Sequence, residues 1–216
     1  MSVREQIQHL RAAELQFRLA SAVSLASTFK TQPLDLPLEW SHGQHSVRYS
    51  EIALSDGDSD FAAWNLHRST TFLMAVAMKD AIRVAVTDPK NHSDSDVRCA
   101  YQISRLVRNA FAHAPFDPVW SIDPDCRDRV FSVCDLISLD TTGIHGQRFD
   151  WRHYGGPLAL LRLLQFVCTG ILKDTGRPSP LIPMPKNVYF QQGDLILKRV
   201  DEIPSDATPV EIERLP

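Results

Sequence analysis

The residues best suited to chemistry lie in one short run, Arg108-Asn109-Ala110-Phe111-Ala112-His113. An imidazole can take and give a proton near neutrality, and the carbonyl end of a helix attracts positive charge. A guanidinium keeps its charge and offers a planar fork of donors suited to a phosphate whose charge grows in a transition state. An asparagine adds a neutral donor and acceptor that can hold the imidazole or the substrate. These groups together could cleave RNA without a metal. The histidine would take the ribose 2′-hydroxyl proton or protonate the leaving 5′-oxygen, and the arginine would stabilise the phosphorane. The products would carry a 2′,3′-cyclic phosphate and a 5′-hydroxyl. One histidine per chain does not easily serve both transfers, so the chemistry favours a symmetric dimer that brings two copies of the run together.

A helix over residues 97–113 must position these groups. Ala100, Ile103, Leu106, Val107 and Ala110 give it an apolar face, while Arg105, Asn109 and His113 follow at four-residue steps. The polar stretch Lys90 to Asp96 supplies its N-cap. Pro115 pushes Ala114 out of helical geometry and so ends the helix near His113. Within 97–113 there are three arginines, Arg98, Arg105 and Arg108, and no acidic residue. The chain as a whole carries a formal charge of −3. Contact with a polyanion must therefore come from a local cluster, and stable duplex binding is disfavoured.

Around this helix the pattern is mainly α. Ile7, Leu10, Leu15, Leu19 and Val23 recur at helical spacing between Val3 and about Phe29, with polar residues on the other side. A second helix, capped by Ser59 or Asp60, runs through Trp64, Leu66, Phe72, Leu73, Val76 and Ile82 to about Val86 and reads as central because apolar residues nearly encircle it. Trp64, His67 and Phe72 read as packing residues. Short extended pieces are expected at His45 to Tyr49 and at Ile52 to Leu54, and a hairpin from the β-leaning run Val130 to Leu139. Gly156-Pro157 opens a fourth helix that continues to Gly170 or slightly beyond. Seven of the fourteen prolines fall in the last forty-one residues. The division expected is therefore a helical domain over 1–175 and an extended proline-rich arm over 176–216, with a strand or turn within Val188 to Val200.

Other candidates are weaker. His145, Arg148, Arg152 and His153 cluster ahead of the fourth helix, where Gly155-Gly156-Pro157 could offer backbone N–H groups to a phosphate or simply form a tight helix entry. Arg105, Arg152 and His153 are the expected RNA contacts. His42 and His45 lack further ligands at metal spacing, so no metal or other cofactor is expected. Cys99, Cys126, Cys134 and Cys168 are scattered without a C-x-x-C pair, which disfavours disulfides and zinc. With no apolar signal core and no run long enough to span a bilayer, a cytoplasmic location is expected.

The run Arg108-Asn109-Ala110-Phe111-Ala112-His113 at the end of an amphipathic helix resembles the R-x4-H signature of the HEPN superfamily, in which the arginine is usually followed by Asn, Asp or His. Phe149 to Gly156 entering an apolar helix resembles, more loosely, plasmid-borne and defence-associated prokaryotic members. The resemblance implies a four-to-five-helix bundle, here with a small β-hairpin insertion and the C-terminal arm. It also implies a homodimer across the motif and metal-independent endoribonuclease activity on RNA, in a toxin, antiphage or RNA-processing setting with an antitoxin or other neighbouring-gene protein as partner. Where some members carry a modifiable tyrosine two positions after the histidine, this chain has Pro115. The competing expectation is a non-catalytic helical module that dimerises through this helix and binds RNA or a protein.

Overall fold

Local side-chain chemistry starts the helices. The computed structural model describes residues 2–28 and 54–176, Asp56 as backbone alone, and the backbone of short strands at 39–42, 45–48, 189–192, 195–196 and 208–210. Helix α1 spans Val3–Thr28. Helix α2 spans Asp56–Ala85, with Ser55 as its N-cap accepting from the Asp58 N–H. The cap lies four residues before the expected Ser59, whose hydroxyl instead donates back to the Ser55 carbonyl. Helix α3 spans Ser95–Ala112, with the Asp94 carboxylate accepting from the Asp96 N–H. Helix α4 spans Pro157–Phe166 and runs on through a π-helical turn, Val167–Ile171. Gly170 in that turn is tightly placed, since a Cβ there would stand 3.0 Å from the Phe166 ring, which would have to shift by a few tenths of an ångström.

The described residues thus form a mainly helical fold in which α2 packs against α1, α3 and α4. Met74, Ala75, Met78, Ala81 and Ile82 of α2 are buried, and so are Val97, Ile103, Leu106, Val107 and Phe111 of α3. Trp64, Leu66 and Leu73 leave part of α2 exposed. The apolar stripe expected on α1 is corrected. Leu15 and Leu19 are 57% and 62% exposed, whereas Leu10, Ala13, Phe17 and Ala20 are buried. The physical reason is angular, because Leu15 and Leu19 stand roughly 140 to 180° round the helix from Leu10. Two polar residues, Gln6 and Glu14, share the buried face, and Glu14 accepts from Arg18 at 2.8 Å.

Between α3 and α4 the chain forms the expected hairpin. The strand Val130–Val133 pairs antiparallel with Ile137–Asp140, in the register Val130↔Asp140. Alternation along both strands buries Phe131, Val133, Ile137 and Leu139. A second hairpin, Glu39–His42 with His45–Arg48, places His42 and His45 as cross-strand partners. The expected extended piece at 52–54 lies, but for Leu54, outside the described residues.

The chain divides into two compact units, Met1–Pro180 and Leu181–Pro216. The second carries more structure than an extended arm. Tyr189–Gln192 is the middle strand of a three-stranded antiparallel sheet, flanked by Leu195–Ile196 and Thr208–Val210. Backbone pairing of this kind satisfies N–H and C=O groups along the paired strands.

Candidate functional site

Helix α3 buries one face and leaves its last turn at the surface. Its C-cap is His113, with helical φ and ψ, and Pro115 follows as a stop. The chain then turns back beneath the helix end, where the Val119 N–H donates to the Ala110 carbonyl at 3.1 Å. Residues 118–120 pair with 146–149. Trp120 N–H donates to the Gln147 carbonyl, Gly146 N–H to the Trp120 carbonyl and Phe149 N–H to the Pro118 carbonyl, each at 2.9 Å. This ladder is fixed from below by an aromatic cluster in which Phe149 packs edge-on to Phe111 at 4.7 Å and tilted against Trp120 at 5.1 Å. Trp120 itself is fully buried.

A cavity of about 270 Å³ opens at the junction of helix end and ladder, lined among others by Asn109, His113, Trp120, Ser121 and His145. Asn109 and His113 are one helical step of four apart and therefore share a face. Arg108 is set about 140° from His113 by the five-residue spacing, and it is not among the residues lining the cavity. Its Nη1 donates to the Asn109 Oδ1 at 3.3 Å. The expected trio is therefore linked in series, with arginine holding asparagine and asparagine facing the cavity beside the exposed His113.

Arg105 proves to be a clamp. Its Nε donates to the Gln102 Oε1 at 2.9 Å, its Nη1 to the Asp123 Oδ2 at 2.5 Å, and its Nη2 to the Cys126 Sγ at 3.0 Å, with Asp125 at 3.8 Å. Both terminal guanidinium nitrogens are thus turned toward the loop at 123–126, while Nε holds Gln102 on the same helix. Burial, the largest effect, and the nearby acids raise the Cys126 thiol despite the opposing pull of Arg105.

The cluster ahead of α4 is dispersed. Arg152 is exposed and donates to Asp150 through Nε and Nη2 at 2.9 and 2.6 Å. His153 accepts from the Trp120 Nε1–H at 2.8 Å and faces a second cavity of about 500 Å³, which Trp64, Arg68, Asp117 and Arg148 also line. There the Arg68 guanidinium lies 5.7 Å over the Trp64 ring. Trp64 thus has one side in the core, packed edge-on to Trp151, and the other in a cavity. Of the two readings of Gly155-Gly156-Pro157, the structure has the tight helix entry. Gly155 and Gly156, at φ 95° and 90°, donate their N–H groups to the carbonyls of Arg152 and Trp151, and proline has none, so the turn is a closed helix entry.

His145, which the sequence grouped with that cluster, instead enters the cavity of His113. Its Nδ1 accepts from the Ile122 N–H at 3.1 Å, which puts the proton of the neutral ring on Nε2. The only sequence signal for this was the pair of glycines, Gly143 and Gly146, that flank it at positive φ and turn the chain under α3.

His67 is the contrasting imidazole. It lies buried between the Phe17 ring and Trp151, with Ser21 Oγ 3.1 Å from its Nε2, and burial lowers its pKa. It is a packing residue, as its helical spacing suggested. Among the described residues no group of three His, Cys, Asp or Glu side chains stands close enough to hold a metal ion, and no helix is long and apolar enough to cross a membrane. Comparison with protein-family models, with curated proteins and with solved structures finds no match for this chain.

Proposed function

We propose that the chain is a HEPN-like, metal-independent endoribonuclease that acts through the cavity at the end of α3. The observation that carries this reading is that Asn109 and His113 face one cavity at the helix terminus, while the charge of Arg108 is joined to it through Asn109. In the reaction the 2′-oxygen forms a bond to phosphorus as its proton passes to an imidazole. The P–O5′ bond breaks, and the leaving oxygen takes a proton from a second group. His113 serves one transfer. A second copy of the chain, presenting its own His113 across a shared cleft, serves the other, so the active form is a homodimer working on RNA in a toxin or antiphage setting.

Arg108 acts by positioning. Its bond to the Asn109 Oδ1 leaves the Asn109 Nδ2 to donate toward the substrate. Cleavage of a structured RNA pool in EDTA tests the proposal. Wild-type protein should cut and His113→Ala should not. An inactive wild type, or a fully active His113→Ala, would leave the second reading, a helical module that dimerises through α3 without catalysis.

A further inference from the structure

Among the described residues no lysine or arginine lines the cavity: Arg108 does not, and Arg105 is engaged by Gln102, Asp123 and Cys126. Arg127 does not line the cavity either, but it stands beside one of the residues that do, His145. Arg127 Nη2 is 3.1 Å from the His145 Nε2. With the Nδ1 of His145 already accepting from the Ile122 N–H, Nε2 carries the ring proton, and a guanidinium can only donate. Two donors therefore meet with no acceptor between them.

Both side chains are held there by the same buried residue. Ile122 donates its N–H to His145 at 3.1 Å and its carbonyl accepts from the Arg127 Nε at 3.3 Å. Of the acids nearby in sequence, Asp123 and Asp125 are engaged by Arg105, and the adjacent Asp128 makes no ion pair with Arg127. Among the described residues no carboxylate forms an ion pair with Arg127.

We propose that Arg127 and the Nε2–H of His145 form a phosphate-binding pair, taking a phosphodiester oxygen beside the cavity that His145 and His113 both line. An oxyanion supplies the acceptor that both donors lack, and charge-assisted bonds of this kind are the strong ones. His145 is a hydrogen-bond donor here and not a proton shuttle, because losing the Nε2 proton would leave an imidazolate. The role assigned to the phosphate in cleavage rests on the proposed ribonuclease function. The binding itself does not.

Ring-nitrogen NMR of the full ¹⁵N-labelled chain tests this with two probes, inorganic phosphate and a fully 2′-O-methylated diribonucleotide that cannot be cleaved. Both should shift the His145 ring signals and leave those of the exposed His9 in place. The dinucleotide should also shift His113. Arg127→Ala should weaken binding at least about tenfold and Arg127→Lys less, since lysine keeps the charge but loses the fork. The Trp120 indole N–H signal reports whether the fold beneath is intact in each variant. Unmoved His145 signals, or equal affinity in wild type and a folded Arg127→Ala, would overturn the pair. Binding without any RNA cleavage would sink the nuclease reading and keep this one, while cleavage with no phosphate response at His145 would do the reverse.

Discussion

The two ends of helix α3 carry similar residues and use them differently. At its start, Asp96 accepts from the Cys134 N–H and Sγ, and Arg98 donates to the carbonyls of His92 and Ser93. Midway, Arg105 binds the loop at 123–126. Every charge in these turns is matched by a partner in the protein. In the last turn Asn109 and His113 face a cavity, and among the described residues no hydrogen bond or ion pair fills the outer side of His113. Charge alone therefore does not mark function on this helix. The difference lies in whether the fold has supplied a counter-group.

Substituting one residue at each end should separate the two behaviours. The largest effect is expected at His113, where alanine should lower RNA cleavage by about 10² to 10⁴-fold with an unchanged melting temperature, measured by initial rates beside a thermal scan. A variant that lost stability instead would place the last turn with the structural part of the helix.

Next in size is the thiol at the opposite end. Partial desolvation and the Asp96 carboxylate that accepts its S–H push the Cys134 thiol up to about 11. At pH 8 it should then hold roughly two orders of magnitude less thiolate than a free cysteine. Iodoacetamide labelling followed by mass spectrometry should find Cys134 slow in the wild type and faster in Asp96→Asn. Equal rates would mean that this end is as open as the other.

Arg105→Ala should cost about 2 kcal/mol, the scale of losing hydrogen bonds to a charged group, and lower the melting temperature by roughly 4 to 8 °C. RNA affinity and its salt dependence should stay as they are, because this guanidinium is already bound to Asp123. A shallower salt slope in Arg105→Ala would restore it to the RNA-contacting set.

The smallest effect compares imidazoles. Burial holds His67 below its ordinary pKa, so the unfolded chain binds the proton more readily. Stability is then fully present above the unfolded value of about 6.5 and falls as the pH drops below it, by up to about 1.4 kcal/mol per unit. Denaturant midpoints between pH 7.5 and 5 should show this slope in wild type and lose it in His67→Gln. An unchanged slope in the variant would assign it to other groups.

Local signals made the helical frame legible. Asp94 before an apolar period, Pro115 after His113, and Gly156-Pro157 ahead of a leucine run each fix an element end through backbone chemistry within a few residues. The hairpin followed from the β-leaning run Val130 to Leu139. Long-range pairing was not legible. Nothing local tells that Arg105 meets Asp123 eighteen residues on, or that the 118–120 and 146–149 ladder carries His145 to the end of α3. Periodicity also misplaced the α1 stripe, since helical spacing fits Leu15 and Leu19 as readily as Phe17, and only the packing of α2 selects between them.

The most direct test of the account is the chemistry of the cut ends. Wild-type protein incubated with RNA in EDTA should leave 2′,3′-cyclic phosphate and 5′-hydroxyl termini by mass spectrometry, and His113→Ala should leave the RNA intact. Fragments bearing 5′-phosphates, or cyclic phosphates formed equally by His113→Ala, would contradict a site built on His113.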